Sequence, residues 1–331
     1  MANSVAVEAA PTVSAVSSIL LCCNGEAVHE NNADQRLPIA STTKIMTAIV
    51  VFENCKLDDV VKIKPEHCNV EGSSMYLKAG EEYTVLQLLQ GLMLVSGNDA
   101  ALALAEHTAG SVDAFCTLMN DKAKELGMEN SHFHNPHGLS DAEHYSSARD
   151  MAKLMLYCMD NENFVALSAQ RTCSINGKSF VNHNKLLYSC EGCTGGKTGY
   201  TLAAGRCLVS TCQREGGSFV CVTLSAPDDW NDHKKLYDWA FSQYSLRFVS
   251  QKLSFEIPVV SGESQTVSLK AEERAVLLPK KEQLEVKAYM PHFVFAPVQM
   301  GERGGYFEVY CGDECIATGN LLYASSVEAK K

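Results

Sequence analysis

The chain has 331 residues, of which 46% are apolar and 20% are charged. This composition is typical of a folded globular protein and excludes a disordered chain, a collagen and a coiled coil. Its 28 basic and 39 acidic residues give a formal net charge of -11, which disfavours a nucleic acid as partner.

Export and membrane signals are weak. No apolar run approaches the roughly 20 residues that span a bilayer, so we expect that the chain does not cross a membrane. Membrane association would need a segment that is not evident in this sequence. The start, MANSVAVEAAPTVSA, lacks the basic residues and long apolar stretch of a secretory signal. We therefore expect either a cytoplasmic chain or the processed form of an exported one.

The 14 cysteines are scattered and several lie in apolar contexts, so we expect most of them to be buried, reduced thiols. The close pairs Cys190/Cys193 and Cys311/Cys315 could each bind zinc or form a disulfide. These pairs lie far apart in the sequence, which disfavours a shared metal site.

The first elements predicted along the chain are a hairpin and a helix. Two apolar runs flank Asn24-Gly25, a dipeptide that favours a tight β-turn. From Ser41 to about Glu53 apolar residues recur at helical spacing, which predicts a buried helix with Ser41 at its N-cap or first turn. Further helical patterns follow over 84–95, 99–109, 112–126 and 148–158.

The later part of the chain is predicted to be richer in strands. After Gly192 two strand patterns appear, then a turn at Gly216-Gly217, a third strand and a helix over 233–244. Beyond Phe248 only short alternating runs remain, which is typical of a small β domain. We therefore expect one domain over 12–246 and a second over 250–325.

Candidate catalytic residues begin at Ser41-Thr42-Thr43-Lys44. A serine hydroxyl becomes a good nucleophile only when a neighbour takes its proton, and a lysine three residues later lies one helical turn away. The apolar residues that follow can bury Lys44 and thereby lower its pKa. An N-cap serine beside a solvated lysine would explain the same tetrapeptide.

Two further short motifs give the first one weight. Ser96-Gly97-Asn98 follows a helical run, and Lys197-Thr198-Gly199 stands where a strand is predicted to start. The motifs S-x-x-K, S-D-N and K-T-G occur together in class A β-lactamases and penicillin-binding proteins, and here all three appear in that order with the middle one as S-G-N. The ordered set therefore predicts a serine acyl-transfer site.

The stretches around these motifs resemble the low-molecular-mass penicillin-binding proteins, which are serine-type D-alanyl-D-alanine carboxypeptidases. The resemblance covers about 15–245 and rests on the stretches LPIASTTKIMTAIVV, LLQGLMLVSGNDAALALAEHTAGS, HNPHGLSDAEHYSSARDMAKLM and GGKTGYTLAAGRCLVS. It implies an α+β fold with a five-stranded antiparallel sheet flanked by helices, a helical lobe and a small all-β domain after them.

The family also implies roles for the motif residues. Ser41 would attack the carbonyl between two terminal D-alanines, Lys44 would take its proton, and Ser96 would relay a proton to the leaving amine. Asn98 would orient Lys44 and hold the substrate's amide.

Four consecutive residues are implied to bind the substrate. Lys197 would add positive charge to the cleft, and Thr198 would hydrogen-bond the terminal carboxylate. Gly199 would let the peptide lie along the strand. The backbone N–H groups of Ser41 and Tyr200 would form the oxyanion hole.

One feature departs from the family. Some members have an arginine after the strand that follows the K-T-G strand, whereas here the loop reads APDDWNDHKK. The sequence therefore leaves open how the carboxylate pocket is completed.

Three alternatives follow from the same residues. A serine β-lactamase shares the motif set, although no clear deacylating glutamate stands between Asn98 and Lys197. His132, His134 and His137 resemble part of a zinc-hydrolase signature, but Pro136 replaces its aspartate. A catalytically dead scaffold with a binding β domain would need a missing catalytic group, and none is missing.

We therefore predict a carboxypeptidase that trims peptidoglycan pentapeptide stems without metal or cofactor. β-Lactam antibiotics should inhibit it covalently, and it should act in the bacterial cell envelope outside the cytoplasmic membrane.

Overall fold

The computed structural model describes residues 7–250 and 253–331. Two short segments lie outside the described residues, namely 1–6 and 251–252. The first belongs to the stretch considered for an export signal, and the second lies at the edge of the predicted second domain. The chain divides into two units, one over Ala10–Ala240 and one over Phe241–Lys331 together with residues 7–9. The domain limits 12–246 and 250–325 stay predictions.

The first unit contains a five-stranded sheet in which every neighbouring pair is antiparallel, in the order β2-β1-β9-β8-β7. The strands alternate along the chain with helices and two short hairpins. The strands of this unit are β1 (Ser17–Cys22), β2 (Ala27–Asn31), β3 (Val60–Lys62), β4 (Glu82–Thr84), β5 (Thr172–Ile175), β6 (Lys178–Val181), β7 (Cys193–Thr201), β8 (Gly205–Arg214) and β9 (Gly217–Leu224).

Helices form a lobe beside this sheet. They are α1 (Lys44–Asn54), α2 (Val85–Leu94), α3 (Asn98–Ala109), α4 (Val112–Glu125), α5 (Ala148–Met159), α6 (Glu162–Ala169), α7 (Leu186–Ser189) and α8 (Asp229–Gln243). The first of them, α1, contacts each helix from α2 to α6, and its residues 44–51 are all buried. A helix that is apolar on every side belongs at the centre of a core, which fixes the position of the residues at its N-terminus.

Side-chain caps define where several helices begin. Thr84 and Gln87 form a capping box at α2, while Ser111 and Ser147 accept N–H bonds at the starts of α4 and α5. Each cap satisfies a backbone donor that has no partner inside the helix. This chemistry explains why the predicted helix limits lie close to the observed ones.

The second unit is all β. A six-stranded sheet has the order β14-β16-β17-β12-β11-β15, and β10 pairs with β13. Its apolar core is a separate cluster around Leu269, Phe307 and Leu321. Its strands are β10 (Tyr244–Phe248), β11 (Ser254–Val260), β12 (Thr266–Ala271), β13 (Ala275–Pro279), β14 (Leu284–Tyr289), β15 (Val294–Phe295), β16 (Arg303–Cys311) and β17 (Glu314–Tyr323).

The fold class predicted from the resemblance is confirmed: an antiparallel sheet with helices is followed by an all-β domain. The predicted opening hairpin is also present as β1 and β2. None of the helices in the described ranges combines the length and apolar character that crossing a bilayer requires.

Three local predictions were wrong. Ser41 lies in a 3-10 turn over Ala40–Thr43, and α1 begins only at Lys44. The last helix of the first unit begins at Asp229 rather than at 233, because acidic residues occupy its first turn, where they interact favourably with the helix dipole. Only six of the fourteen cysteines are buried, namely Cys22, Cys116, Cys158, Cys207, Cys212 and Cys221.

Candidate active site

Ser41 sits in a tight turn at the N-terminal end of α1. The turn is held by the hydroxyls of Thr42 and Thr43, which donate to the carbonyls of Ile39 and Ala40 at 2.6 and 2.8 Å. Such short side-chain bonds to the backbone favour a turn over a regular helix. As a result, the half-buried Ser41 hydroxyl is held at the mouth of a cavity.

A glycine allows a second loop to press against this turn. Gly138 has a φ of +87°, and a Cβ atom there would lie 1.9 Å from the carbonyl oxygen of Ala40. No other residue fits such an approach. It brings the carbonyl of His137 next to the Ser41 hydroxyl, which lies 3.4 Å away.

Lys44 is fully buried and touches the candidate nucleophile. Its Nζ lies 2.9 Å from Ser41 Oγ, 2.7 Å from Asn98 Oδ1 and 2.6 Å from the His137 carbonyl oxygen. Burial, together with the charge of Lys197, lowers the pKa of Lys44 well below its usual value. A neutral amine has two N–H donors and one lone pair, so the two carbonyl oxygens can take the donors and leave the lone pair for the Ser41 hydroxyl.

The second motif lies between α2 and α3. Asn98 begins α3, and its side-chain N–H₂ group donates to the Glu71 carbonyl oxygen at 2.6 Å, which leaves its oxygen facing Lys44. Ser96 has a φ of +63°, a conformation that is strained for a residue with a side chain. Its hydroxyl is a buried polar atom without a hydrogen-bond partner among the described residues.

The third motif occupies the middle of β7, not its start. Lys197 is buried, and burial lowers its pKa to about 7. Its Nζ donates to the Thr198 carbonyl oxygen at 2.9 Å. A Cβ atom at Gly199 would lie 2.9 Å from the backbone nitrogen of Ser41, so this strand passes directly against the turn that carries the serine.

A cavity of about 320 Å³ joins the three motifs. Five of the predicted residues line it, while Lys44, Asn98 and Lys197 do not and are almost wholly buried. The lining residues predicted from the sequence are Ser41, Ser96, Thr198, Gly199 and Tyr200.

The cavity also contains a cation that the motifs did not predict. Arg206 of β8 stands opposite Tyr200 in the sheet and lines the cavity together with Asp229 and Trp230. Its Nε donates to the buried Asp229 carboxylate at 3.0 Å, and its guanidinium lies 5.7 Å from the Trp230 ring centre. The sequence did contain a signal for Arg206, because the strand that pairs with the K-T-G strand must place a side chain beside Tyr200.

The histidines of the zinc alternative do not gather around a common centre. His137 Nδ1 accepts from the backbone of Leu139, and burial lowers the pKa of His137 to about 3. His132 contacts the Glu143 carbonyl, while His134 lies 3.9 Å from Asp141. Within the described residues no group of three His, Cys, Asp or Glu side chains is placed to hold a metal ion.

A nearby histidine supports the turn instead. His144 Nδ1 accepts from the backbone of His134, so its Nε2 carries the proton and donates to the Thr43 hydroxyl at 2.7 Å. Burial lowers the pKa of His144 to about 4, which keeps the ring neutral near pH 7.

Comparison with known families gives two matches. Residues 4–228 match the family described as D-alanyl-D-alanine carboxypeptidase, and residues 241–329 match the C-terminal domain of penicillin-binding protein 5.

Individual relatives agree with these matches. The chain is 33% identical to D-alanyl-D-alanine carboxypeptidase DacF of Bacillus subtilis, over 93% of this chain and 82% of that protein. It is 32% identical to DacC of Escherichia coli, over 96% and 86%. The crystal structure of penicillin-binding protein 5 from Haemophilus influenzae matches with a TM-score of 0.83 and 28% identity, over 97% of this chain and 99% of that one.

Proposed function

Because the chain belongs to the D-alanyl-D-alanine carboxypeptidase family, we propose that Ser41 is the nucleophile through which it acts. The chain is a serine-type D-alanyl-D-alanine carboxypeptidase and a penicillin-binding protein of the bacterial cell envelope. This assignment favours the peptidase over the serine β-lactamase considered from the motifs. The contact that carries the proposal for Ser41 is the 2.9 Å distance from its hydroxyl to Lys44 Nζ.

Acylation begins with proton transfer from Ser41 to Lys44. The pKa of Lys44 is lowered by burial, so its amine is available as a base, and the carbonyls of Asn98 and His137 hold it in place. The Ser41 oxygen then attacks the carbonyl between the two D-alanines, and an ester forms as the amine leaves. Water hydrolyses that ester in the second half of the cycle.

Ser96 carries the proton to the leaving amine. Its hydroxyl is buried without a partner, which costs about 1–3 kcal/mol unless something else satisfies it. A hydroxyl can accept one proton while donating another, and the substrate nitrogen is a partner that arrives only with the substrate. The strained backbone of Ser96 is consistent with a conformation kept for function.

Three groups bind the terminal carboxylate of the substrate. Thr198 supplies a hydroxyl, and Arg206 completes the pocket from β8. Lys197, whose buried Nζ contacts the Thr198 carbonyl oxygen, supplies positive charge. Asp229 fixes the guanidinium by a charged hydrogen bond. Arg206 thus fills the role of the arginine that is absent from the stretch APDDWNDHKK.

The substrate backbone adds to the edge of the sheet. β7 is an edge strand that pairs only with β8 within this sheet, so an extended peptide can bind along its other side. A side chain at Gly199 would fill the space between this strand and Ser41. The N–H groups of Ser41 and Tyr200 would then face the oxygen of the scissile carbonyl.

Intact mass spectrometry after treatment with penicillin tests this proposal. We expect one adduct, and peptide mapping should place it on Ser41. Ser41→Ala should lose the adduct while keeping the melting temperature of the native protein. The control is Ser73→Ala, because Ser73 lines the same cavity without contacting Lys44. An adduct that maps to another serine would overturn the assignment of Ser41.

A further inference from the structure

Three cysteines meet where the chain passes from α7 into β7. Cys190 directly follows α7, Cys193 begins β7, and Cys212 stands opposite Cys193 on β8. The turn between Cys190 and Cys193 is folded tightly over Cys212, since a Cβ atom at Gly192 would lie 3.2 Å from Cys212 Sγ. The carboxypeptidase mechanism uses none of these thiols.

Two of the three thiols lie against the same carbonyl oxygen. Cys212 Sγ is 3.3 Å and Cys190 Sγ is 3.8 Å from the Glu191 carbonyl oxygen. The third thiol differs, because Cys193 Sγ turns toward the Gly195 carbonyl oxygen at 3.7 Å.

These two thiols have unequal chemical properties. The neighbouring Cys212 side chain and the Arg214 guanidinium, 3.8 Å from Cys190 Sγ, lower the pKa of Cys190 to about 7. Cys190 is only half-buried, whereas Cys212 is buried. An accessible thiol with a lowered pKa attacks disulfides readily, and a buried thiol beside it can complete the exchange.

We propose that Cys190 and Cys212 form a disulfide when the chain meets a low-molecular-mass disulfide. The Cys190 thiolate attacks one sulfur of that molecule, forms a mixed disulfide and releases the other half as a thiolate. The Cys212 sulfur then attacks Cys190 Sγ, and its proton goes to the second leaving thiolate. The two cysteines lose two electrons, and one small disulfide becomes two thiols.

This bond would act on the strand that carries the K-T-G motif. It closes a loop from 190 to 212 that contains Lys197, Thr198 and Gly199. A cross-link removes conformational entropy from the unfolded chain, so the oxidised protein should resist unfolding better than the reduced one. The cell envelope is a compartment in which such disulfides can persist.

Oxidation of the full chain followed by mapping tests the proposal. The reduced protein is incubated with oxidised glutathione, free thiols are alkylated, and the digest is analysed by mass spectrometry without reduction. We expect Cys190 and Cys212 peptides to be joined before any other pair. Joining of Cys190 to Cys193, or a Cys212 thiol that stays free while Cys190 carries glutathione, would overturn it.

Variants separate the two steps. Cys212→Ser should accumulate glutathione on Cys190, whereas Cys190→Ser should leave Cys212 reduced. Cys68→Ser is the matched control, because Cys68 is also half-buried but lies far along the chain, where it should not alter the cross-link. If Cys212→Ser did not increase the mixed disulfide on Cys190, the attacking role of Cys190 would be wrong.

Heat resistance gives an independent measurement. The oxidised chain should melt about 5 °C or more above the reduced chain. Cys190→Ser should abolish this difference, whereas the Cys68→Ser control should keep it. Equal melting temperatures for the two forms of a chain in which mapping finds the cross-link would reject the proposed effect on β7.

Discussion

Lys44 is the residue whose proposed role depends most on its protonation state. Its Nζ faces two carbonyl oxygens and one hydroxyl, a set that a neutral amine satisfies completely. Lys44→Arg should abolish labelling by fluorescent penicillin, because a guanidinium stays protonated and cannot act as a base. Labelling of the native chain should rise with pH through the lowered pKa of Lys44.

The control for this variant is Lys78→Arg, an exposed position outside the cavity. It should label at the native rate. Folding of both variants can be compared by their melting temperatures. If Lys44→Arg labelled at a near-native rate, Lys44 would have a structural role only.

Lys197 illustrates a cost in stability at a binding site. Burial lowers its pKa from 10.5 to about 7, so the unfolded chain binds this proton more tightly. Below pH 7 Lys197 is protonated in both the folded and the unfolded chain, and its burial lowers the free energy of unfolding by the full amount, on the order of a few kcal/mol. Between pH 7 and 10.5 the folded state loses the proton first, and the cost falls as pH rises.

Lys197→Met should therefore raise the melting temperature at pH 6 and raise it less at pH 10. The same variant should weaken cleavage of substrates with a free carboxylate. Lys124→Met is the control, because this lysine is exposed and lies outside the cavity. If the gain in melting temperature did not shrink toward pH 10, the buried charge of Lys197 would not be its cause.

At the scale of elements, helix positions were predictable because their signals are local. Apolar spacing marked α2 to α5, and side-chain caps begin α2, α4 and α5. The turn that holds Ser41 was not predictable in this way. Its 3-10 form depends on a distant loop, where Gly138 approaches the Ala40 carbonyl.

Contacts between elements could not be predicted from the sequence either. The motifs identified Ser41, Lys44 and Asn98, but their distances depend on how α1, α2 and α3 pack. Arg206 was missed for the same reason, since its place in the cavity follows from the pairing of β8 with β7 and from the start of α8. The short hairpins β3–β4 and β5–β6 were missed because each strand has only three or four residues.

The ion pair between Arg206 of β8 and Asp229 at the start of α8 leads to a prediction about substrate choice. Arg206→Ala should raise KM for a substrate ending in a free carboxylate by about tenfold or more, the effect of losing a charged hydrogen bond. The substrate whose terminal carboxylate is masked as an amide should be affected little. Steady-state release of D-alanine and of its amide measures both.

Arg214→Ala provides the matched control, since Arg214 lies on the same strand and pairs with Asp238 instead. It should leave the preference for the free carboxylate unchanged. Asp229→Asn should show a weaker form of the Arg206→Ala effect, because the guanidinium keeps its charge but loses its anchor. Equal losses on acid and amide substrates would exclude Arg206 from carboxylate binding.

At the scale of the whole molecule, the two apolar cores share no residues. One cluster of buried residues runs from Ile19 to Leu224 and surrounds α1, while the other runs from Ile257 to Val327. All residues proposed for catalysis and substrate binding belong to the unit over Ala10–Ala240. Each unit therefore has its own hydrophobic core for folding.

We expect a chain that ends at Gln243, after α8, to fold and to bind penicillin at Ser41. Calorimetry of the full chain should resolve two unfolding transitions, and the shortened chain should keep one of them. Penicillin labelling of the shortened chain, with Ser41→Ala as control, measures its activity. If the shortened chain folds but does not label, the β domain contributes to acylation. If the full chain unfolds in a single cooperative transition, the two cores unfold together.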